Sequence, residues 1–390
     1  MSNFNKAMEA VSKARVIVVG SGLTGAVLAN QLSNSYNVVV IEKREHVAGN
    51  VYTELDEETN IHVHKYGAHI FHTSQKWVWD FVNQFGKFNN YRHHVLADYG
   101  GNLFSLPFSL KTYSEIYGVR VTPQNFDKIV GPSITEMTDP KNLKEKAIST
   151  IGKHAYRILV EDYTKKQWGV DPEKLPASVI GRLPVRRNYD TRYFNDEFEG
   201  IPVNGYTHMV EGMLEGIPVF TGVDWFDVRD HVRDDQFVIY TGEIDKFFDY
   251  KHGKLTWRSV RFEHERHKEQ DHQGIAVMNY TGLDKNYTRI IEHKHFNPDR
   301  DTKGTIVSKE YSCAPGNGID PYYPVNLAED KLKLALYKTE EEKIKDNVYI
   351  GGRLGKYAYF DMAPAISLAF RDLNNEIWEK VEKLQKKAQS

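Results

Sequence analysis

Apolar and polar positions divide the chain into three textures. Near the start, Val16-Ile17-Val18-Val19 and Val38-Val39-Val40-Ile41 are unbroken apolar runs, and they predict strands over 15–20 and 37–42 with a helix near 25–34 between them. Between about Pro107 and Arg182 the spacing turns helical, with Lys144 to Ile151 and Ala155 to Thr164 each setting apolar residues on one face. From Tyr193 the pattern shortens into strand-like pieces, among them Val219 to Val223, Phe237 to Tyr240, Ala276 to Tyr280 and Thr305 to Val307. Asn347 to Gly352 reads as a further buried strand that stops at glycines, and a long helical pattern follows from about Ala363 to Lys387. Parallel strands that return so late imply an α/β dinucleotide domain assembled from separated segments. Residues Met1 to Ala14 carry mixed charges and no apolar centre, so they read as a loose extension and not as an export signal.

The turn after the first apolar run is Gly20-Ser21-Gly22-Leu23-Thr24-Gly25, and the second run closes on an acid, Glu42. Each part has a physical role at a dinucleotide site. Gly20 permits the tight strand-to-helix turn, Gly22 lets backbone approach a pyrophosphate, and Gly25 lets the helix pack on the strand. N–H groups at the helix start then face the phosphates. A carboxylate about 20 residues on accepts from a ribose hydroxyl, and Glu42 falls there. The loop Glu45-His46-Val47-Ala48-Gly49-Asn50 suits either the far half of such a cofactor or an ordinary turn.

Bulk properties then narrow the class. A chain of 390 residues predicts two or three domains, and 40% hydrophobic with 12% aromatic content suits a globular enzyme. No apolar stretch approaches the ~20 residues that span a bilayer, so no membrane span is expected. Cys313 is the only cysteine, which leaves no intramolecular disulfide and fits a cytoplasmic setting. A formal charge of −2 gives no general attraction to nucleic acid, so an anionic substrate must be gathered by local arginines.

Two arginine segments are suited to gathering an anion. One is Arg182-Leu183-Pro184-Val185-Arg186-Arg187, and the other is Arg289 in Tyr287-Thr288-Arg289. The planar guanidinium fork matches phosphate oxygens, and surface salt bridging is the bland reading of each segment alone. Aromatics accompany them in the sequence pattern, at Tyr163 and Trp168, Tyr193-Phe194, Tyr322-Tyr323 and Tyr357-Ala358-Tyr359, able to stack on a base or sugar. Histidines crowd at His62, His64, His69 and His72. A metal site there is disfavoured by the lack of neighbouring carboxylates and by Lys65, and no metal is expected.

Taken in order, the strings Val19-Gly20-Ser21-Gly22, Tyr66-Gly67-Ala68-His69-Ile70-Phe71-His72-Thr73, Tyr163-Thr164-Lys165-Lys166-Gln167-Trp168-Gly169, Arg182-Leu183-Pro184-Val185-Arg186, Tyr287-Thr288-Arg289, Tyr322-Tyr323-Pro324 and Gly352-Arg353-Leu354-Gly355 followed by Tyr357 to Met362 resemble those of the bacterial UDP-galactopyranose mutase family. The resemblance runs from about Arg15 to about Ala369. It implies a Rossmann-like FAD-binding domain built from 1–88, 205–246 and 347–390. An inserted helical domain would span 108–182, with a mobile loop near 168–182 that closes over substrate. An antiparallel sheet domain would come from 89–107, 183–204 and 247–346.

The resemblance also implies site residues. FAD would meet Gly20, Gly22, Thr24, Gly25, Glu42, Lys43 and Asn50, with Val223 near its adenine; His69, Ile70, Arg353, Asp361 and Met362 would form the flavin pocket. Tyr163, Thr164, Trp168, Asn279 and His93 would hold the uridine end, and Arg182, Arg289, Tyr193, Tyr323 and Tyr359 the diphosphate. Arg182, Arg289 and His69 are the expected catalytic set. The implied reaction interconverts UDP-galactopyranose and UDP-galactofuranose, with N5 of reduced FAD attacking the anomeric carbon and no net redox change. An external reductant such as NAD(P)H or a reductase, and a homodimer, are implied as well. Three positions depart from the family pattern: Ala48 for a glycine, Leu159 for a phenylalanine of some members, and His93 near a frequent asparagine. The same ring contraction on UDP-N-acetylgalactosamine, or a redox flavoenzyme acting on a sugar nucleotide, are the alternatives.

Overall fold

The computed structural model describes residues 3–180, 184–316 and 318–389. Five strands, in the order Val348–Ile350, Phe237–Tyr240, Val16–Val19, Val38–Glu42 and Val219–Thr221, pair in parallel throughout. They come from three remote stretches of sequence, as the late return of apolar runs predicts. Their unbroken hydrophobicity has a direct cause: both faces of the sheet are covered. Val16, Val18, Val38 and Val40 point into one cluster, which the helices Leu23–Ser33 and Met362–Asp372 share. Ile17, Val19, Val39 and Ile41 point into the other, with Trp225, Tyr337 and Tyr357.

Seven strands form the second sheet, in the order Tyr323–Pro324, Trp257–His267, Thr305–Cys313, Arg289–Glu292, Val277–Tyr280, Val95–Tyr99 and Asn102–Leu106. All its pairs are antiparallel except Val95–Tyr99 with Val277–Tyr280, which run parallel. A helical layer packs on the seven-stranded sheet, through Leu110–Tyr117 against Asn102–Leu106 and Asp162–Trp168 against Thr305–Cys313. The helix Leu110–Tyr117 starts at a Ser109–Thr112 capping box, and Leu143–Ile151 starts at Asn142, whose side chain accepts from the Glu145 N–H. The helical pattern read over 155–164 is part of a longer run, Lys153–Tyr156 to Asp162–Trp168, joined by the wider π-helical turn Arg157–Glu161. That turn shifts the phase of the helix, and Leu159, Val160, Tyr163, Thr164, Gln167 and Trp168 all face one cleft.

The N-terminal segment differs from its expected loose form. Asn3–Lys13 is a helix, and Ala7 and Val11 are fully buried against the second core cluster. Gln236 Nε2 fastens its end by donating to the carbonyls of Val11 and Ala14. Its apolar stripe is made of small side chains four apart, too weak to stand out among the charges. Val11→Asp would bury a carboxylate in the apolar contact that docks the helix, and a loss of at least about 2 kcal/mol is expected as a lower urea midpoint. An unchanged midpoint would show that the helix is not docked.

Candidate active site

A cleft of about 790 Å³ opens where the parallel sheet, the helical layer and the seven-stranded sheet meet. At its first end the glycine turn behaves as its spacing demands. A Cβ on Gly25 would lie 1.9 Å from the Gly20 carbonyl oxygen, and Gly20 itself has φ +97°, so neither position accepts a side chain. A Cβ on Gly22 would meet only the Gly49 Cα, at 4.0 Å, so the face of the turn toward the cleft is open. As N-cap of the helix Leu23–Ser33, Gly22 offers no side chain to the first-turn N–H groups. Those donors are left for an anion.

Glu42 is buried, and its Oε2 accepts from Ser21 N and Oγ at 2.9 and 2.8 Å while Oε1 accepts from Arg44 N at 2.9 Å. Three of its roughly four acceptor directions are thus filled, leaving one for a hydroxyl. Beside it, Lys43 and Arg44 both pair with Asp320 at 2.6 Å, and Arg44 also donates to Asn50 Oδ1 at 3.0 Å. Burial raises the Asp320 carboxyl, but the two cations outweigh it and hold its pKa below the usual carboxylate range. Arg44 Nη1 is enclosed without a partner. Val223 is buried next to this end, with its N–H on the Glu42 carbonyl at 3.0 Å.

Midway along the cleft, His69 Nδ1 lies 2.8 Å from the Gly67 carbonyl, which fixes it as the donor and leaves Nε2 as a lone pair. Burial pulls the imidazole down to about 4, so it is neutral at pH 7. Arg353 donates to the Tyr322 carbonyl and lies over the Tyr359 ring at 4.9 Å, while its Nε is enclosed and unpartnered. Asp361 caps the helix Met362–Asp372 with its carboxylate turned to the Tyr359 hydroxyl at 3.1 Å; Met362 and Ile70 are buried beside it.

At the far end Arg289 donates from Nη2 to the Tyr163 hydroxyl at 2.8 Å and has Nε 3.2 Å from Glu310 Oε1. Burial works against its charge, but Glu310 and the oxygens of Tyr163, Tyr323 and Tyr193 prevail, and the guanidinium stays charged. Tyr323 bridges the aromatic wall, 6.2 Å from Trp168 and 5.7 Å from Tyr359 between ring centres. Thr164 is buried, and Asn279 Oδ1 is enclosed without a partner. His93 Nδ1 meets the Tyr91 hydroxyl at 3.0 Å, and Tyr193 lies edge-on to its ring. Leu159, with Leu106, Phe108 and Val277, makes this end apolar.

Every site residue named from the sequence lines this one cleft except Arg182, which lies outside the described residues. Its neighbours Arg186 and Arg187 are engaged elsewhere, the first on the Asp190 carbonyl at 3.1 Å and on the Asn195 side chain, the second on Asp127 at 2.9 Å. The crowded histidines take different surroundings: His64 stacks on Phe296 and accepts the His69 backbone N–H on Nδ1 at 3.2 Å, while His69 and His72 both line the cleft, His72 pairing with Asp196 at 2.7 Å. Glu310, Arg44 and Asp320 join the site without having been expected there. Glu310 lies directly opposite Arg289 in the strand register, a signal that only the pairing reveals.

Comparison with known proteins sets this geometry in a family. A family model described as UDP-galactopyranose mutase matches residues 158–359, and one described as an NAD(P)-binding Rossmann-like domain matches 18–85. "Probable UDP-galactopyranose mutase" of Klebsiella pneumoniae is 37% identical, covering 93% of this chain and 94% of its own. The chain belongs to the UDP-galactopyranose mutase family. "dTDP-fucopyranose mutase" of Escherichia coli is 38% identical over 91% of this chain and 96% of its own. Among solved structures, a reduced UDP-galactopyranose mutase superposes with a TM-score of 0.73 over 96% of this chain and 97% of the other, at 15% identity, a likeness of fold. No helix among the described residues is long and apolar enough to cross a membrane.

The buried histidines make the fold acid-sensitive. Burial lowers His93 and His293 to about 3 and His69 to about 4, against an ordinary value near ~6.5 when unfolded. Between those values the unfolded chain binds more protons, so stability is complete above about pH 6.5 and falls as pH drops toward the folded values. At pH 5 the loss is on the order of 2 kcal/mol for each of His93 and His293. Urea midpoints should be flat from pH 7 to 8 and fall steeply from 6.5 to 5; a flat profile to pH 5 would contradict neutral burial.

Proposed function

We propose that the chain is an FAD-dependent UDP-galactopyranose mutase, an isomerase that interconverts UDP-galactopyranose and UDP-galactofuranose without net redox change. The observation that carries this reading is the far end of the cleft, where Arg289 stands among Tyr163, Tyr193 and Tyr323 with Glu310 behind it. A redox flavoenzyme whose substrate carries no phosphate has no need of a charged clamp ringed by phenolic hydroxyls, whereas a leaving nucleoside diphosphate does. Family membership agrees with it.

FAD fits the other end. Open space at Gly22, the spare acceptor direction of Glu42 and the enclosed, unpartnered Arg44 Nη1 and Arg353 Nε suit a ribose, a pyrophosphate and a flavin ring with carbonyl acceptors. When bound and reduced, FAD supplies a nucleophilic nitrogen for the anomeric carbon. The chain's own residues then do the rest. Arg289, with Arg182 as its partner, stabilises charge growing on the departing diphosphate, and Tyr193, Tyr323 and, on turning from Asp361, Tyr359 donate hydrogen bonds to its oxygens. Tyr163 and Trp168 flank the nucleoside, and Asn279 Oδ1 accepts from the base or ribose. His69, held neutral with Nε2 free, takes up or returns a proton beside the sugar. A cytoplasmic homodimer kept reduced by NAD(P)H or a reductase completes the proposal.

One observation favours a second reading of substrate: the Escherichia coli relative named for a dTDP-fucopyranose substrate is as similar as the one from Klebsiella pneumoniae. The reduced protein should therefore be incubated anaerobically with UDP-galactofuranose and, separately, with a dTDP-fucose isomer, and the products separated by chromatography. Isomerisation of the UDP sugar with the flavin still reduced is expected; stoichiometric oxidation of the sugar would refute the mutase reading, and turnover of the dTDP sugar alone would transfer it to that substrate. Arg289→Ala and Arg182→Ala should each lower turnover at least about tenfold while FAD stays bound. Near-normal turnover in both would remove the phosphate clamp.

A further inference from the structure

Lys165 and Lys166 are neighbours on the helix Asp162–Trp168, yet they behave differently. Lys165 makes the ordinary surface pairs, with Glu161 at 3.4 Å and Asp162 at 3.3 Å. Lys166 makes none of these. Its ammonium donates to three backbone carbonyls, Tyr280 at 2.6 Å, Tyr287 at 3.0 Å and Lys285 at 3.2 Å. An ammonium has three N–H donors in a pyramid, so all are spent on one hairpin. Burial draws its pKa down to about 8, against the pull of Asp284 and Asp162, the carboxylates that face it.

That hairpin joins the strand Val277–Tyr280, which carries Asn279, to the strand Arg289–Glu292, whose first residue is Arg289. Its tip, from Leu283 to Asn286, is exposed. Tyr280 N closes it on the Thr288 carbonyl at 2.9 Å, and Lys166 grips both arms just outside that point. One helical turn earlier, Tyr163 holds Arg289 itself. The helix therefore grasps the hairpin twice, once inside the cleft and once outside. If Arg289 engages a diphosphate, as proposed above, its bond to Tyr163 competes with the ligand, while the Lys166 tripod is unaffected.

We propose that Lys166 is a positioning residue for Arg289, fixing the hairpin that carries it against the helix that carries Tyr163. This rests on the assignment of Arg289 to the diphosphate. A lysine suits the position because arginine's planar fork cannot meet three carbonyls arranged as a tripod. The next residue docks the helix on a different strand: the Gln167 carbonyl accepts from Arg258 Nε at 3.1 Å and from Ser312 Oγ.

The test is a double-mutant cycle on the FAD-loaded protein, reading the dissociation constant of UDP by calorimetry for wild type, K166M, R289A and the double variant. K166M should weaken UDP about tenfold with FAD occupancy unchanged, and should add less than about twofold in the R289A background. S312A, which removes one of two bonds to the Gln167 carbonyl and leaves the Arg258 bond and the hairpin in place, should bind UDP as wild type does. Equal weakening by K166M in both backgrounds, or wild-type affinity in K166M, would overturn the proposal while leaving Arg289 in its role. Unchanged affinity in R289A would instead remove the reading on which it rests. If K166M does not fold, K166R carries the same cycle, since it keeps the cation and loses the tripod.

Discussion

The candidate active site depends on keeping a cation in an enclosed place. Arg289 has 23% of its side chain exposed, toward the cleft, and Glu310 behind it has 3%. Most ion pairs among the described residues have at least one exposed partner and are worth at most about 1 kcal/mol each, but breaking an enclosed one costs about 3–5 kcal/mol because a charge is left uncompensated. The pair exists because Arg289 and Glu310 are register partners on adjacent antiparallel strands. A slip of one residue would turn Arg289 to the opposite face. Thr288 reinforces that register, its N–H and hydroxyl both reaching Glu310.

The glycine-turn end of the cleft is built by a different rule. Five parallel strands from three remote segments bring the turn at Gly20, the acid at Glu42 and the turn at Gly352 to one edge of a sheet. The helix starting at Leu23 can lie there only because Gly25 has no Cβ to strike the Gly20 carbonyl. Lys43 and Arg44, at the end of this sheet, reach Asp320, three residues before Tyr323 of the other sheet. One carboxylate thus ties the two ends of the cleft together.

Much of this is legible in the sequence, for reasons that differ by element. Val16–Val19 and Val38–Glu42 announce themselves because strands covered on both faces must be apolar at every position. Gly20, Gly25 and Glu42 are legible because their roles are steric or ionic and local. The helix Asn3–Lys13 is not, since its buried stripe is only Ala7 and Val11. Nor are Glu310 and Asp320, whose roles come from strand register and from a contact across 276 residues to Arg44. The parallel pairing of Val95–Tyr99 with Val277–Tyr280 likewise depends on a contact too distant for periodicity to reveal. Long-range pairing, more than local propensity, completes the site.

In the function we propose, a flavin dinucleotide would take the Gly22 end of the cleft and a nucleoside diphosphate the Arg289 end. A crystal structure of the FAD-loaded protein soaked with UDP tests this division most directly. Diphosphate oxygens are expected within hydrogen-bond distance of Arg289 and Tyr323, the base beside Tyr163, and the flavin ring against His69 and Ile70. UDP bound away from Arg289, or a flavin ring directed away from His69, would contradict it.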